Sequence, residues 1–150
     1  MPQSLSSILL HIIFSTKDRE PFIREDVEPD LHSIMATLFK DCDSPALIIG
    51  GTTDHIHALI NMSRTVTIAD MLKHVKANSS RSMKSQGRDF RRFRWQRGYG
   101  AFSVSESGVD SLKAYIRNQK AHHERRTFQE EYRIILKKYK VEYDERYVWD

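Results

Sequence analysis

The order of strand and helix patterns along the chain predicts an α+β protein with an antiparallel sheet. Four short apolar segments read as strands, at residues 5–15, 46–49, 55–62 and 101–104. Apolar residues recur at helical spacing after the first strand and again after the third. The run GGTTD at residues 50–54 is a turn, so the second and third strands should pair antiparallel.

Helix boundaries follow from proline, glycine and capping residues. The first helix is predicted around residues 31–39, led in by acids and Pro29. Thr67 is the expected N-cap of the second helix, and Gly87 ends it. Ser105 or Ser107 should cap a third, long helix that runs through residue 119.

A last helix is expected after Thr127, and it is followed by an aromatic and acidic tail. The resulting βαββαβ order predicts a ferredoxin-like sheet with helices on one face, plus C-terminal helices. We expect residues 1–150 to form a single domain, because domains commonly have about 100–200 residues.

Composition excludes several classes of protein. The apolar run at residues 8–14 is far shorter than the roughly 20 residues that a membrane span needs, so no membrane is expected. The one cysteine, Cys42, can form no internal disulfide, which fits a reducing cytoplasm. We therefore expect a cytoplasmic protein.

Positive charge is concentrated in residues 73–97, which hold nine Lys and Arg residues against one acid, Asp89. Phe90, Phe93 and Trp95 are interleaved with these cations. Cations that meet phosphates and aromatic rings that stack on bases are typical of nucleic-acid binding. The alternative is a solvated helix face followed by a basic loop.

Two histidines form a candidate metal site. His55 and His57 are two residues apart on a predicted strand, so their side chains should share a face. Tyr115 and Gln119 lie four apart on the third helix and should share a face as well. A cation held by two imidazoles and an amide oxygen can polarise a phosphodiester, and a nearby phenol can attack it. Among the other tyrosines, Tyr132 is the next candidate for the attacking phenol, since Gln129 lies one helical turn before it.

These residues resemble a known family. The run GGTTDHIHALI resembles the HUH motif (histidine, hydrophobic residue, histidine) of the single-tyrosine transposases of bacterial insertion sequences. The run LKAYIRNQKAHH resembles the nucleophile helix of that family, which includes the transposases associated with repetitive extragenic palindromes (REP). Further similar stretches, from HIIFSTKDREP to YDERYVWD, cover nearly the whole chain in the family's order.

The resemblance implies an HUH endonuclease fold and a transposase that cuts and rejoins single-stranded DNA. His55, His57 and Gln119 would bind Mg²⁺ or Mn²⁺, and Tyr115 would form a 5′-phosphotyrosine link. It also implies a homodimer with shared active sites, and a DNA substrate that carries a hairpin.

The DNA contacts are expected on the basic segment and on the loop after the first strand. The candidates are Lys17, Arg19, Lys73, Lys76, Arg81 and Lys84 for phosphates, and Trp95 as a stacking platform. Two alternatives stay open. One is a host-retained relative that nicks chromosomal palindromic repeats, and the other is a non-catalytic nucleic-acid-binding module on a ferredoxin-like sheet.

Overall fold

The computed structural model describes residues 2–150 and contains one four-stranded antiparallel sheet, in the order β2-β3-β1-β4. The strands are β1 (Leu9–Ser15), β2 (Ala46–Gly51), β3 (His55–Asn61) and β4 (Gly100–Val104). The helices are α1 (Glu28–Asp41), α2 (Ile68–Lys84), α3 (Val109–Arg117), α4 (Gln119–His123) and α5 (Phe128–Lys138). Short 3-10 turns lie at Lys17–Arg19, Arg88–Phe90 and Glu106–Gly108. The predicted α+β fold class is confirmed.

The observed boundaries differ from the predicted ones, most clearly in β1, β2 and the third helix. β1 begins at Leu9, not at residue 5, and β2 continues through Gly51. The third helix is interrupted at Asn118, whose backbone angles (φ −94°, ψ 16°) leave the helical region. The caps predicted at Thr67 and Thr127 are present, because their hydroxyls accept hydrogen bonds from backbone N–H groups three residues later. The cap predicted at Ser105 or Ser107 is wrong, because a 3-10 turn intervenes and α3 begins after Gly108 without a side-chain cap.

One face of the sheet packs against α1 and α2. Alternate residues of β1 and β3 face this layer, among them Phe14 and Ile56, and both are fully buried. The helices contribute a matching apolar stripe: Leu31, Met35 and Phe39 from α1, with Met71, Leu72 and Val75 from α2. This layer is the main hydrophobic core.

The opposite face carries both histidines of β3. His57 pairs with Ile13 of β1 in the antiparallel register, so these two residues share this face. The face is covered by α3, which contributes Val109 and Ile116, and by α5, which contributes Phe128, Tyr132 and Leu136. The sheet therefore holds the histidines between its own surface and the C-terminal helices.

Gly50 allows α3 to approach the sheet closely. It lies on β2 beside His57, and a Cβ atom there would be 2.7 Å from both the backbone oxygen and Cγ2 of Ile116. Because glycine lacks this atom, α3 packs directly on the strand. This contact sets the distance between the sheet and Tyr115, the residue before Ile116.

The C-terminal tail packs against α5. The Trp149 ring lies 6.0 Å from the Tyr132 ring and 6.4 Å from the Phe128 ring, and the Arg19 guanidinium lies 5.8 Å from Trp149. Phe128 in turn lies 4.7 Å from the His55 ring. The Phe128 ring thus lies between Trp149 of the tail and His55 of β3.

Across residues 2–150, none of the helices combines the length and the apolar character that crossing a bilayer requires.

Candidate metal centre and tyrosine site

The turn before β3 orients His55. Nδ1 of His55 lies 2.7 Å from Oδ1 of Asp54 and 3.0 Å from the Thr52 hydroxyl. Burial opposes ionisation of Asp54, but the adjacent His55 and the Thr52 hydroxyl together outweigh it and lower the pKa of this carboxyl. The carboxylate therefore accepts from Nδ1, which leaves Nε2 of His55 facing the space under the C-terminal helices.

His57 is held by a second buried histidine. Nδ1 of His57 lies 2.7 Å from Nε2 of His11, and the two rings stack with centroids 5.0 Å apart. Burial lowers the pKa of His57 to about 4 and that of His11 to about 3, so both imidazoles are neutral at pH 7. A neutral imidazole has a lone pair available for a metal ion.

Glu131 of α5 joins the two histidines and was missed by sequence reasoning. Its Oε1 lies 2.9 Å from Nε2 of His57 and 3.5 Å from Nε2 of His55. Burial favours the neutral acid, but the neighbouring His123, His57 and His55 together outweigh it and hold the pKa of Glu131 far below its usual range. Glu131 is therefore a carboxylate, although only 3% of its surface is exposed.

Tyr115 and Gln119 reach the same carboxylate. The Tyr115 hydroxyl donates to Oε2 of Glu131, and Nε2 of Gln119 donates to the same oxygen at 3.0 Å. Oε1 of Gln119 lies 3.0 Å from Nε2 of His55. The two residues were expected on one continuous helix. They lie on α3 and α4, on either side of the break at Asn118, and still converge on the histidines.

The Tyr115 phenol is protonated in this arrangement. Burial and the hydrogen bond to Glu131 both raise its pKa above the ordinary value. The ring lies 5.8 Å from the ring of His57 in the same chain. One chain thus brings the tyrosine to its own histidines. The sharing of active sites between two subunits stays a prediction.

The donor set fits a divalent metal ion. Ligand atoms of His55, His57 and Glu131 all lie within 4.8 Å of one another, and the amide oxygen of Gln119 is adjacent to His55. Imidazole nitrogens with carboxylate and amide oxygens are a donor set suited to Mn²⁺ and related ions. Gln119 was the expected third ligand, and the Glu131 carboxylate is a further candidate ligand beside it.

A cavity of about 500 Å³ opens beside the tyrosine. Tyr115 and Glu131 form its inner wall, and the exposed Arg125 and Arg126 lie at its rim. His123 also lines it, with Nε2 3.2 Å from Oε1 of Glu131. An anionic group could reach the phenol here from solvent.

The candidate DNA-binding residues differ in accessibility. Lys73, Arg81 and Lys84 are exposed on α2. Lys76 is half-buried, and burial lowers its pKa to about 8. Near the loop after β1, Lys17 lies 4.0 Å from the Asp150 carboxylate.

Trp95 lies in the main core and cannot serve as the expected stacking platform. It is 7% exposed, its ring is edge-on to those of Phe14 and Phe93, and its indole N–H donates to Ser79. A base could not reach its face without unfolding this part of the core, so we remove Trp95 from the candidate contacts.

The fold and the site together define an α+β protein with a buried His-His-Glu cluster beside a tyrosine. Residues 4–119 match the model of the IS200-like transposase family. Since the match spans more than half of the chain, the protein belongs to this family of transposases.

Two solved structures are similar to the chain. One is a candidate transposase from Deinococcus radiodurans R1, which is 23% identical, with a TM-score of 0.62 over 79% of this chain and 98% of that one. The other is a REP-associated tyrosine transposase bound to a REP hairpin, which is 9% identical, with a TM-score of 0.60 over 82% of this chain and 72% of that one. At these identities the likeness concerns the fold. The search of curated proteins gives no match.

Proposed function

We propose that this chain is a metal-dependent transposase that cuts and rejoins single-stranded DNA through a 5′-phosphotyrosine intermediate, in the transposition of an insertion sequence. One observation carries the proposal: a tyrosine hydroxyl lies in the same buried cluster as two histidines, a glutamine and a carboxylate. Membership of the IS200-like family supports the reaction class. The single cysteine supports a cytoplasmic location.

His55, His57 and Gln119 are the proposed metal ligands, with Glu131 as an additional one. Mg²⁺ or Mn²⁺ would act as a Lewis acid on the scissile phosphate. Asp54 and His11 hold the ring orientation of the two histidines from outside the cluster. His57→Ala should therefore weaken Mn²⁺ binding in calorimetry, and an unchanged affinity would remove His57 from the site.

Glu131 is also the proposed acceptor of the tyrosine proton. As the phenolic oxygen forms its bond to phosphorus, the P–O3′ bond breaks and the proton passes to Oε2 of Glu131, which already accepts it in a hydrogen bond. The departing 3′-oxygen takes up a proton from solvent water and becomes the free 3′-hydroxyl. A later attack by a DNA 3′-hydroxyl on the phosphotyrosine reverses these steps and reseals a strand without ATP.

The test is formation of a covalent adduct. Purified protein with Mn²⁺ and single-stranded DNA that contains a candidate hairpin site should give a protein–DNA species that survives denaturation. Tyr115→Phe should abolish it. The matched control is Tyr132→Phe, because Tyr132 is a buried tyrosine outside the cluster. An adduct that persists in Tyr115→Phe and is lost in Tyr132→Phe would reassign the nucleophile.

A homodimer remains part of the proposal, but with each site assembled within one chain. The contact between Tyr115 and Glu131 of the same chain favours this arrangement. Mixing His57→Ala protein with Tyr115→Phe protein distinguishes the two cases. We expect no adduct from the mixture, whereas restored activity would indicate sites shared across a dimer. Light scattering reports the oligomeric state itself.

Single-stranded DNA with a hairpin is the proposed substrate, contacted by Lys17, Arg19, Lys73, Arg81 and Lys84. Lys76, the sixth candidate, is left out because its ammonium group donates to three backbone oxygens. The same chemistry would serve a host-retained relative that nicks chromosomal palindromes, and the DNA that flanks the gene separates that case from a mobile element. A non-catalytic binding module would bind DNA and form no adduct with Mn²⁺.

A further inference from the structure

A groove of about 430 Å³ runs between α2 and residues 94–99, on the face of the sheet opposite to the histidines. Its α2 wall includes the small and apolar residues Ala69 and Ala77. Lys73, Arg94 and Arg97 are exposed along it, and none of the described residues that line it is acidic. The groove therefore combines an apolar floor with a positive rim.

Tyr99 provides an accessible aromatic ring in this groove. It is 38% exposed, and Nζ of Lys76 lies 5.6 Å from its ring centroid. The same Nζ donates to the backbone oxygens of Gln96 at 3.0 Å, Arg97 at 3.3 Å and Gly98 at 2.5 Å. Lys76 thus holds the segment that precedes Tyr99, so the ring is positioned in advance of any ligand.

The groove and the tyrosine site lie at the same end of the sheet. The backbone N–H of Gln96 donates to the oxygen of Ser15 at 2.9 Å, and Ser15 pairs with His55. Because paired strands lie about 4.8 Å apart, the backbone of Gln96 is on the order of 10 Å from that of His55. Lys17, whose N–H donates to the oxygen of Arg94, lies at the same end.

We propose that this groove is a non-catalytic subsite for single-stranded DNA, in which an unpaired base stacks on Tyr99 and the flanking phosphates contact Lys73, Arg94 and Arg97. The inference rests on the proposed function, since it assigns a second contact for the same strand. Its volume suits a ligand of nucleotide size, and an aromatic face with a cationic rim is the combination that single-strand binders use. The strand would pass around the end of the sheet towards Tyr115.

The test measures binding without cleavage. The carrier is full-length Tyr115→Phe protein, and the probe is a short fluorescein-labelled oligodeoxynucleotide of mixed sequence without self-complementarity. Adding Tyr99→Leu should weaken binding by on the order of ten-fold, the effect of losing one stacked base. Tyr99→Phe keeps the ring and should bind normally. The matched control is Tyr143→Leu, which removes a comparably exposed tyrosine (41%) from the tail.

The salt dependence tests the rim. Each lost phosphate contact should reduce the slope of log affinity against log salt by about 0.7 for a single strand, so Arg97→Ala should show this change. Lys137→Ala, at the end of α5, should not. Photocrosslinking with an iodouracil-substituted oligonucleotide should label the peptide that contains Tyr99.

Equal affinities for Tyr99→Leu and Tyr143→Leu, or crosslinks confined to peptides outside the groove, would overturn the subsite. Because the carrier cannot cleave, these results do not depend on catalysis. The adduct experiment on the unmodified chain tests the proposed function separately.

Discussion

Gly50→Ala tests whether the packing of α3 on β2 sets the position of Tyr115. The new Cβ would lie 2.7 Å from the backbone oxygen of Ile116, a backbone atom that cannot rotate away. Ordinary contact requires about 3.4 Å or more, so α3 must withdraw by roughly 0.7 Å. The substitution therefore shifts the helix that carries Tyr115 without touching the tyrosine.

Two effects of different size are expected. Overpacking of this kind costs about 1–3 kcal/mol of folding free energy. A displacement of nearly 1 Å at a reacting group can reduce a rate on the order of 10- to 100-fold. Mn²⁺ affinity should change less than the rate, because His55 and His57 lie on β3 and Glu131 lies on α5, so that Gln119 is the one proposed ligand next to α3.

The assay is single-turnover formation of the protein–DNA adduct, with denaturant unfolding and metal titration on the same preparation. The control is Gly108→Ala, just before α3, where a Cβ meets only the Ser105 side chain at 3.3 Å and one carbon of Val104 at 3.8 Å. Its adduct rate should stay within about two-fold of the parent, since no rigid contact is created. A folded Gly50→Ala protein with the full adduct rate would refute the reasoning.

Two further predictions concern the buried cluster. Glu131→Gln removes a charged candidate ligand and should weaken Mn²⁺ binding at least ten-fold by calorimetry. The control, Glu130→Gln, lies on the exposed side of α5 and should leave the affinity unchanged. Equal affinities of the two variants would exclude Glu131 as a ligand. With the metal removed by EDTA, the free energy of unfolding should fall as the pH drops below 6.5, because the unfolded chain binds protons that folded His57 (pKa about 4) and His11 (pKa about 3) do not. Each histidine should account for about 2 kcal/mol between pH 7 and pH 5 in chemical denaturation. His11→Gln should flatten this dependence, and a stability that rises towards pH 5 would contradict it.

The part of the site that follows from spacing could be predicted from the sequence. His55 and His57 share a face because a strand alternates its side chains, and the structure buries both on the face opposite to Ile56. Tyr115 and Gln119 converge as their separation indicates, although the helix between them is broken. Local periodicity does not report such a break, because Asn118 lies within an otherwise regular apolar pattern.

Glu131 could not be recognised as easily, since acids are common on amphipathic helices. Its position was nevertheless informative: it falls between Phe128 and Tyr132 on the buried side of α5, where an unpaired carboxylate would be costly. An acid on an apolar face predicts a buried partner, but only the tertiary structure shows that the partners are His57, His123 and Tyr115.

The aromatic residues of the basic segment were assigned to the wrong surface. Phe93 and Trp95 are buried, while Arg92 and Arg94 beside them are exposed. This alternation matches a short extended stretch, and Trp95 forms an isolated bridge with Thr16. The charge density of this segment favoured nucleic-acid binding, whereas its alternation of buried and exposed residues indicates which side chains enter the core.

The packing of Trp149 on α5 gives the last residues of the chain a structural task. Trimming the chain after Tyr147 would uncover Phe128 and Tyr132 and leave the ring beneath His55 loosely supported. An affinity tag that displaces this end, or a protease that removes it, would then disturb the packing of His55 through Trp149 and Phe128. Protection of the terminal peptide bonds thus offers a simple gauge of whether that part of the molecule is correctly assembled.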